Sequence, residues 1–120
     1  MSVRAIRGAT QVAENSPEAI ASGVKELLTE ILTSNGLTPN EVISVLFTAS
    51  PDLNAAFPAA YAREVGFESV PLICAVEIDV PGALERTIRV MAHVETPKSA
   101  KEISHIYLHG AKALRRDIAQ

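Results

Sequence analysis

The chain has 120 residues, 48% of them hydrophobic and 21% charged, with a formal net charge of −3. A chain of that length buries about 65% of its unfolded surface around one core, and the composition excludes an intrinsically disordered tail. The acidic balance and the lack of a basic run argue against nucleic acid as a partner, and no stretch approaches the ~20 apolar residues of a membrane span.

Met1-Ser2-Val3-Arg4-Ala5-Ile6-Arg7 lacks the apolar run and small-residue cleavage site of a signal peptide, and the lone cysteine, Cys74, has no internal disulfide partner. A cytoplasmic protein is therefore expected, folded as one domain over residues 1–120 with a mobile C-terminal tail from about residue 111. The absence of Trp makes the core aliphatic.

Val3–Ile6 is a short β-prone run that stops at Arg7-Gly8, placing Arg7 at the end of a first strand. Ser16-Pro17-Glu18 then reads as a helix start: a serine to accept a free backbone N–H, a proline where no donor is needed, and an acid at the positive end of the dipole. Ile20, Val24, Leu27, Leu28, Ile31 and Leu32 form one apolar stripe, which Gly36 terminates. Thr38-Pro39-Asn40-Glu41 is a capping box, but the β-branched run that follows predicts a single turn leading into a buried strand over Val42–Thr48. After the break at Ser50-Pro51-Asp52, Phe57-Pro58 opens a short helix carrying Arg63 and closed by Gly66.

Val70–Ile78 is apolar except for Glu77 and is expected to be a central strand whose single carboxylate must pair, protonate or serve a ligand. From Thr87 to Glu95 the residues alternate, with Ile88, Val90, Ala92 and Val94 on one face and Arg89, Met91, His93 and Glu95 on the other. Pro97–Ile103 has room for a helical turn or two, His105–Leu108 is a last strand, and Lys112–Asp117 is polar and basic. This order predicts an α+β fold, a mixed sheet with helices packed on its outside.

Arg7, Arg63, Arg89 and Arg115 lie at or near element ends. Converging guanidinium groups would receive a ligand with more than one carboxylate, because each can bind a carboxylate bidentately. Cys74 has neither a following helix start nor an identifiable histidine partner, which favours a buried small side chain over a nucleophile. His105 and His109 have a helical metal-ligand spacing but lie on or beside a predicted strand without a third ligand, so no metal is expected. Gly8 alone, without further glycines or a Lys-Ser/Thr pair, does not make a phosphate loop.

Ala5-Ile6-Arg7-Gly8-Ala9-Thr10, Thr48-Ala49-Ser50-Pro51-Asp52-Leu53, Phe57-Pro58-Ala59, Ala62-Arg63-Glu64, the run from Val70 to Asp79, Ile88-Arg89-Val90-Met91, Ile106-Tyr107-Leu108 and Leu114-Arg115 occur in an order and spacing that resemble the AroH class of chorismate mutases. The resemblance covers about Val3 to Ile118. It implies a pseudo-barrel homotrimer with active sites between subunits, converting chorismate to prephenate on the route to phenylalanine and tyrosine without cofactor or metal. It also implies that Arg89 donates to the ether oxygen as its bond breaks, and that Arg7 and Tyr107 hold the side-chain carboxylate. Glu77, with the backbone around Cys74, takes the ring hydroxyl. Phe57, Ala59, Leu72 and Ile73 form an apolar wall, Arg63 adds positive potential from the neighbouring subunit, and Leu114 and Arg115 close over the ligand. Ala60 replaces a lysine of the family pattern and Arg116 a frequent proline. The competing expectation is a trimeric metabolite-binding protein of the same fold that lacks the chemistry.

Overall fold

A computed structural model describes residues 1–115. Five strands form one mixed sheet: β1 (Ser2–Gln11), β2 (Val42–Ala49), β3 (Leu72–Val76), β4 (Thr87–Thr96) and β5 (Ile106–Leu108). Their spatial order is β3-β2-β4-β1-β5. The inner pairs β1/β4 and β2/β4 are antiparallel, while the outer pairs β2/β3 and β1/β5 are parallel. Helices α1 (Pro17–Asn35) and α2 (Pro58–Ala62) complete the architecture with short 3₁₀ turns. Among the described residues no helix is long and apolar enough to cross a membrane.

The long helix forms as its sequence predicts. Ser16 Oγ accepts from the Ala19 N–H at 3.1 Å, Pro17 occupies the first turn, and Gly36 ends the helix at φ 62°, a conformation that glycine adopts without a Cβ clash. Ile20, Val24, Leu27, Leu28 and Ile31 are buried, each contributing about 1.5–3 kcal/mol by leaving water. They cover the sheet face that carries Ile6, Val45, Phe47, Ile88, Val90, Ala92 and Val94. The alternation read in β4 is therefore the boundary between two faces, with Arg89 and Met91 on the face opposite the helix-packed core.

Two strands differ from expectation. The first does not stop at Gly8: it pairs with β4 through Gln11, so Arg7 lies mid-strand. Gly8 is a point of close approach, where a Cβ would fall 2.8 Å from Ile31 Cδ1 of α1. The run at Val70–Ile78 forms a five-residue strand at an edge of the sheet, not at its centre, and leaves Ile73 62%, Val76 71% and Ile78 86% exposed. A continuous apolar run requires cover on both faces, but its sequence does not say which chain supplies that cover.

The smaller elements follow the expected order. Thr38 N–H donates to the Glu41 carboxylate at 2.8 Å in the turn before β2, and Pro97–Ile103 yields one 3₁₀ turn at Ala100–Glu102. Beyond β5, residues His109–Leu114 form 3₁₀ turns with Ala111 buried. Of the segment expected as a tail, residues 116–120 lie outside the described residues.

One buried polar side chain ties α1 to the last strand. Asn35 donates to the carbonyls of Ile31 at 2.9 Å and Ser104 at 3.0 Å and accepts from the Ser104 N–H at 2.9 Å. Asn35→Ala strands two backbone groups just before β5, and the expected loss is about 1–3 kcal/mol, read as a lowered urea midpoint with an unchanged slope.

Candidate active site

On the face of the sheet opposite the helix-packed core lies a cavity of about 250 Å³ lined by Arg7, Gly8, Leu46, Thr48, Arg89, Val90, Met91, Tyr107 and Arg115. Strand register explains their convergence. Thr48 stands opposite Arg89 across β2/β4, Arg7 opposite Met91 across β1/β4, and Ala9 beside Tyr107 across β1/β5. Period-two alternation then turns Arg7, Thr48, Arg89 and Met91 to one side.

Glu77 follows the end of β3, where its N–H donates to the Ala49 carbonyl at 2.9 Å. Its Oε2 accepts from Thr48 Oγ1 at 2.7 Å and pairs with Arg89 Nε at 3.0 Å. The Arg89 side chain is 44% exposed and that of Glu77 only 17%. The carboxylate thus engages the guanidinium at its inner nitrogen, and the same arginine lines the cavity. The pairing expected of a lone carboxylate in an apolar run is present, and it orients a partner that still has donors to offer. Arg7 and Arg89, with Arg115 beside them, bring guanidinium groups to the cavity lining, donors suited to a ligand that carries carboxylates.

Tyr107 is almost fully buried and packs with Ala9 and Ala111, against which Leu114 rests. His105 accepts from the Arg7 backbone N–H through Nδ1 at 2.9 Å, whereas His109 Nε2 lies 2.9 Å from Glu26 Oε1. The two histidines engage different elements and do not share a ligand direction.

The remaining expected residues lie apart from this cavity. Phe57 and Cys74 line a second cleft of about 480 Å³ with Pro58, Ala49 and Val76. Phe57 is 75% exposed. Cys74 Sγ accepts from the Ala59 N–H at 3.4 Å, which directs the thiol toward α2. Leu72 and Ile73 border a third hollow with Ser44, Pro71 and His93. Arg63 begins the turn after α2 and is exposed. Within one protomer, Arg7, Arg89, Tyr107 and Arg115 share a cavity, whereas Arg63 and the apolar wall lie outside it.

Thr48 and His105 are neighbours of the site with no role there legible in the sequence: Thr48 stands only within a matching block, and His105 draws notice only as a metal ligand. The signal for Thr48 is its position opposite Arg89, which exists only once the β2/β4 register is known.

A family model described as chorismate mutase type I matches residues 3–118. The chain is 45% identical over 117 residues to chorismate mutase AroH of Thermus thermophilus, covering 97% of this chain and 96% of that one. It is 42% identical over 120 residues to chorismate mutase AroH of Bacillus subtilis (strain 168), covering 99% and 94%. A solved chorismate mutase from Clostridium thermocellum superposes with a TM-score of 0.90 at 51% identity, covering 92% of this chain and 98% of that one. With a match across nearly its whole length in sequence and in fold, this chain belongs to the chorismate mutase type I family.

Proposed function

We propose that this chorismate mutase rearranges chorismate to prephenate in the cavity around Arg89, by holding one compact conformer and meeting its developing charge with fixed groups. The reaction breaks an ether C–O bond and forms a C–C bond within one molecule, so no proton, electron or leaving group passes to the protein. Rate enhancement must come from conformer selection and preorganised electrostatics. The observation that carries the reading is the Thr48–Glu77–Arg89 chain of contacts, which fixes a cation in place while leaving it half exposed to the cavity.

In this reading the Arg89 Nη groups donate to the ether oxygen as it becomes negative. Arg7 and Tyr107 hold the side-chain carboxylate, and Glu77 accepts from the ring hydroxyl beside the Cys74 backbone. Leu114 and Arg115 cover the ligand from the segment after β5.

We further propose that the active unit is a homotrimer closed as a pseudo-barrel, with Phe57, Ala59 and Arg63 of one subunit completing the site of the next and Leu72 and Ile73 extending its apolar wall. Two observations support this. At about 250 Å³ the cavity is below the usual ~300–1,000 Å³ of a small-molecule site, as expected where another wall is still to be added. The exposed side chains of β3 and the residues after it form an apolar surface of the kind that marks an interface.

The direct experiment is to follow loss of chorismate by its ultraviolet absorbance, without added metal, and to identify prephenate as the product. Turnover is expected. A folded, assembled protein that binds chorismate and leaves it unchanged would mean that the site recognises this metabolite without transforming it.

A further inference from the structure

His105 occupies a position that the rearrangement does not use. The parallel ladder between β1 and β5 begins at Gly8 and Ile106. One residue earlier, the Arg7 N–H has no β5 carbonyl to meet, and His105 Nδ1 accepts it at 2.9 Å. An imidazole thus ends the ladder at the residue whose guanidinium lines the cavity. The segment is braced from its other side, because Ser104 is clamped by Asn35.

An accepting Nδ1 requires the neutral ring, with its proton on Nε2. Protonation would set two donors against each other and add a positive charge beside Arg7 on β1 and Arg115 after β5. Among the described residues no acidic side chain pairs with His105. Burial first, and then the charges of Arg7 and Arg115, hold its pKa below the ordinary imidazole value. The unfolded chain, with an ordinary imidazole near pH ~6.5, therefore takes up this proton more readily than the folded one. The stability the neutral ring contributes is present above that value and is lost as pH falls below it.

We infer that His105 is a positioning residue that fixes the Arg7 backbone through its neutral imidazole and thereby makes substrate affinity, not the rearrangement itself, sensitive to acid. The inference rests on the reading that Arg7 receives a substrate carboxylate. His105 touches no reacting atom, so its effect falls on KM.

The test compares wild type, His105→Asn, His105→Leu and Arg7→Ala between pH 5 and 8, a range over which ordinary carboxylates stay ionised (pKa about 4). Asn offers its Oδ1 where Nδ1 stood and does not titrate; Leu removes the acceptor. Wild-type KM should be level at pH 7–8 and rise on acidification only below the ordinary imidazole value, with kcat nearly unchanged. His105→Asn should match wild-type KM at neutral pH and stay level to pH 5. His105→Leu should raise KM at every pH by about tenfold, the scale of one weakened charge-assisted hydrogen bond.

An acid rise that survives in His105→Asn would overturn the inference, as would a wild-type KM that improves on acidification, which would make the ring a third cation. If Arg7→Ala raises KM while His105→Leu does not, only the positioning role fails. If Arg7→Ala itself leaves KM unchanged, the reading of Arg7 fails and takes the inference with it. Should His105→Leu fold poorly, the comparison of wild type with His105→Asn decides alone.

Discussion

Arg89→Ala is expected to lower kcat at least ~10²-fold while leaving a folded, assembled protein, the loss seen when a preorganised donor to a developing negative charge is removed. The argument begins in the sheet. Arg89 lies on the exposed face of β4 with its Nε held by Glu77, and Glu77 is held in turn by Thr48. Nothing in the core depends on the Arg89 side chain, so stability should change little. The transition state, which gains negative charge at the ether oxygen, loses more than the ground state does, and the deficit falls on kcat. Arg89→Lys retains a charge but loses the planar fork and the Nε anchor, and should recover only part of the rate. Circular dichroism and sizing of the variant, with steady-state kinetics on chorismate, make the check. A kcat within threefold of wild type would assign the catalytic cation elsewhere.

Val76→Asp is expected to abolish assembly and, with it, most of the activity. Val76 is 71% exposed on the edge strand beside Ile73, and neither belongs to the core of its own protomer. If this edge packs against another subunit, each copy of the variant buries a carboxylate without a partner, at about 3–5 kcal/mol per site. Sizing by light scattering should find a trimer for wild type and smaller species for the variant, with turnover lost in parallel. A variant that stays trimeric and active would remove β3 from the interface. The two experiments separate cleanly, because Arg89→Ala removes the rate from an intact assembly and Val76→Asp removes the assembly from an intact Arg89.

The sequence carried those parts of the fold that are set by local rules. Ser16-Pro17, the apolar stripe and Gly36 fixed both ends of α1 because capping and periodicity act within a few residues. The alternation of Thr87–Glu95 placed Arg89 on the face opposite the core for the same reason. Gly8 misled because a glycine that ends a strand and one that admits a helix side chain look alike until the helix is packed. Val70–Ile78 misled because an apolar run on an edge strand with exposed side chains reads the same as one on a central strand covered on both faces.

The site was legible in a similar measure. Arg7, Arg89, Tyr107 and Arg115 were named from arginine placement and family resemblance, and they line one cavity. Phe57, Ala59, Leu72 and Ile73, named only by resemblance, stand outside it, and so does Arg63, which arginine placement also picks out. Thr48 and His105 were invisible as neighbours because their partners lie across strand pairings, and register is a tertiary fact.

The wide sequence separation of the strands also sets a timetable for synthesis. Arg7 and His105 stand 98 residues apart, so at about 5–20 residues per second a ribosome takes about 5–20 s to supply the second after the first. α1 can coil from its own residues during that interval, but β1 has neither of its neighbours until β4 and β5 emerge. The nascent chain must therefore carry an unpaired strand through most of its own translation. Its exposure to edge-to-edge association is fixed by the order in which its strands are made.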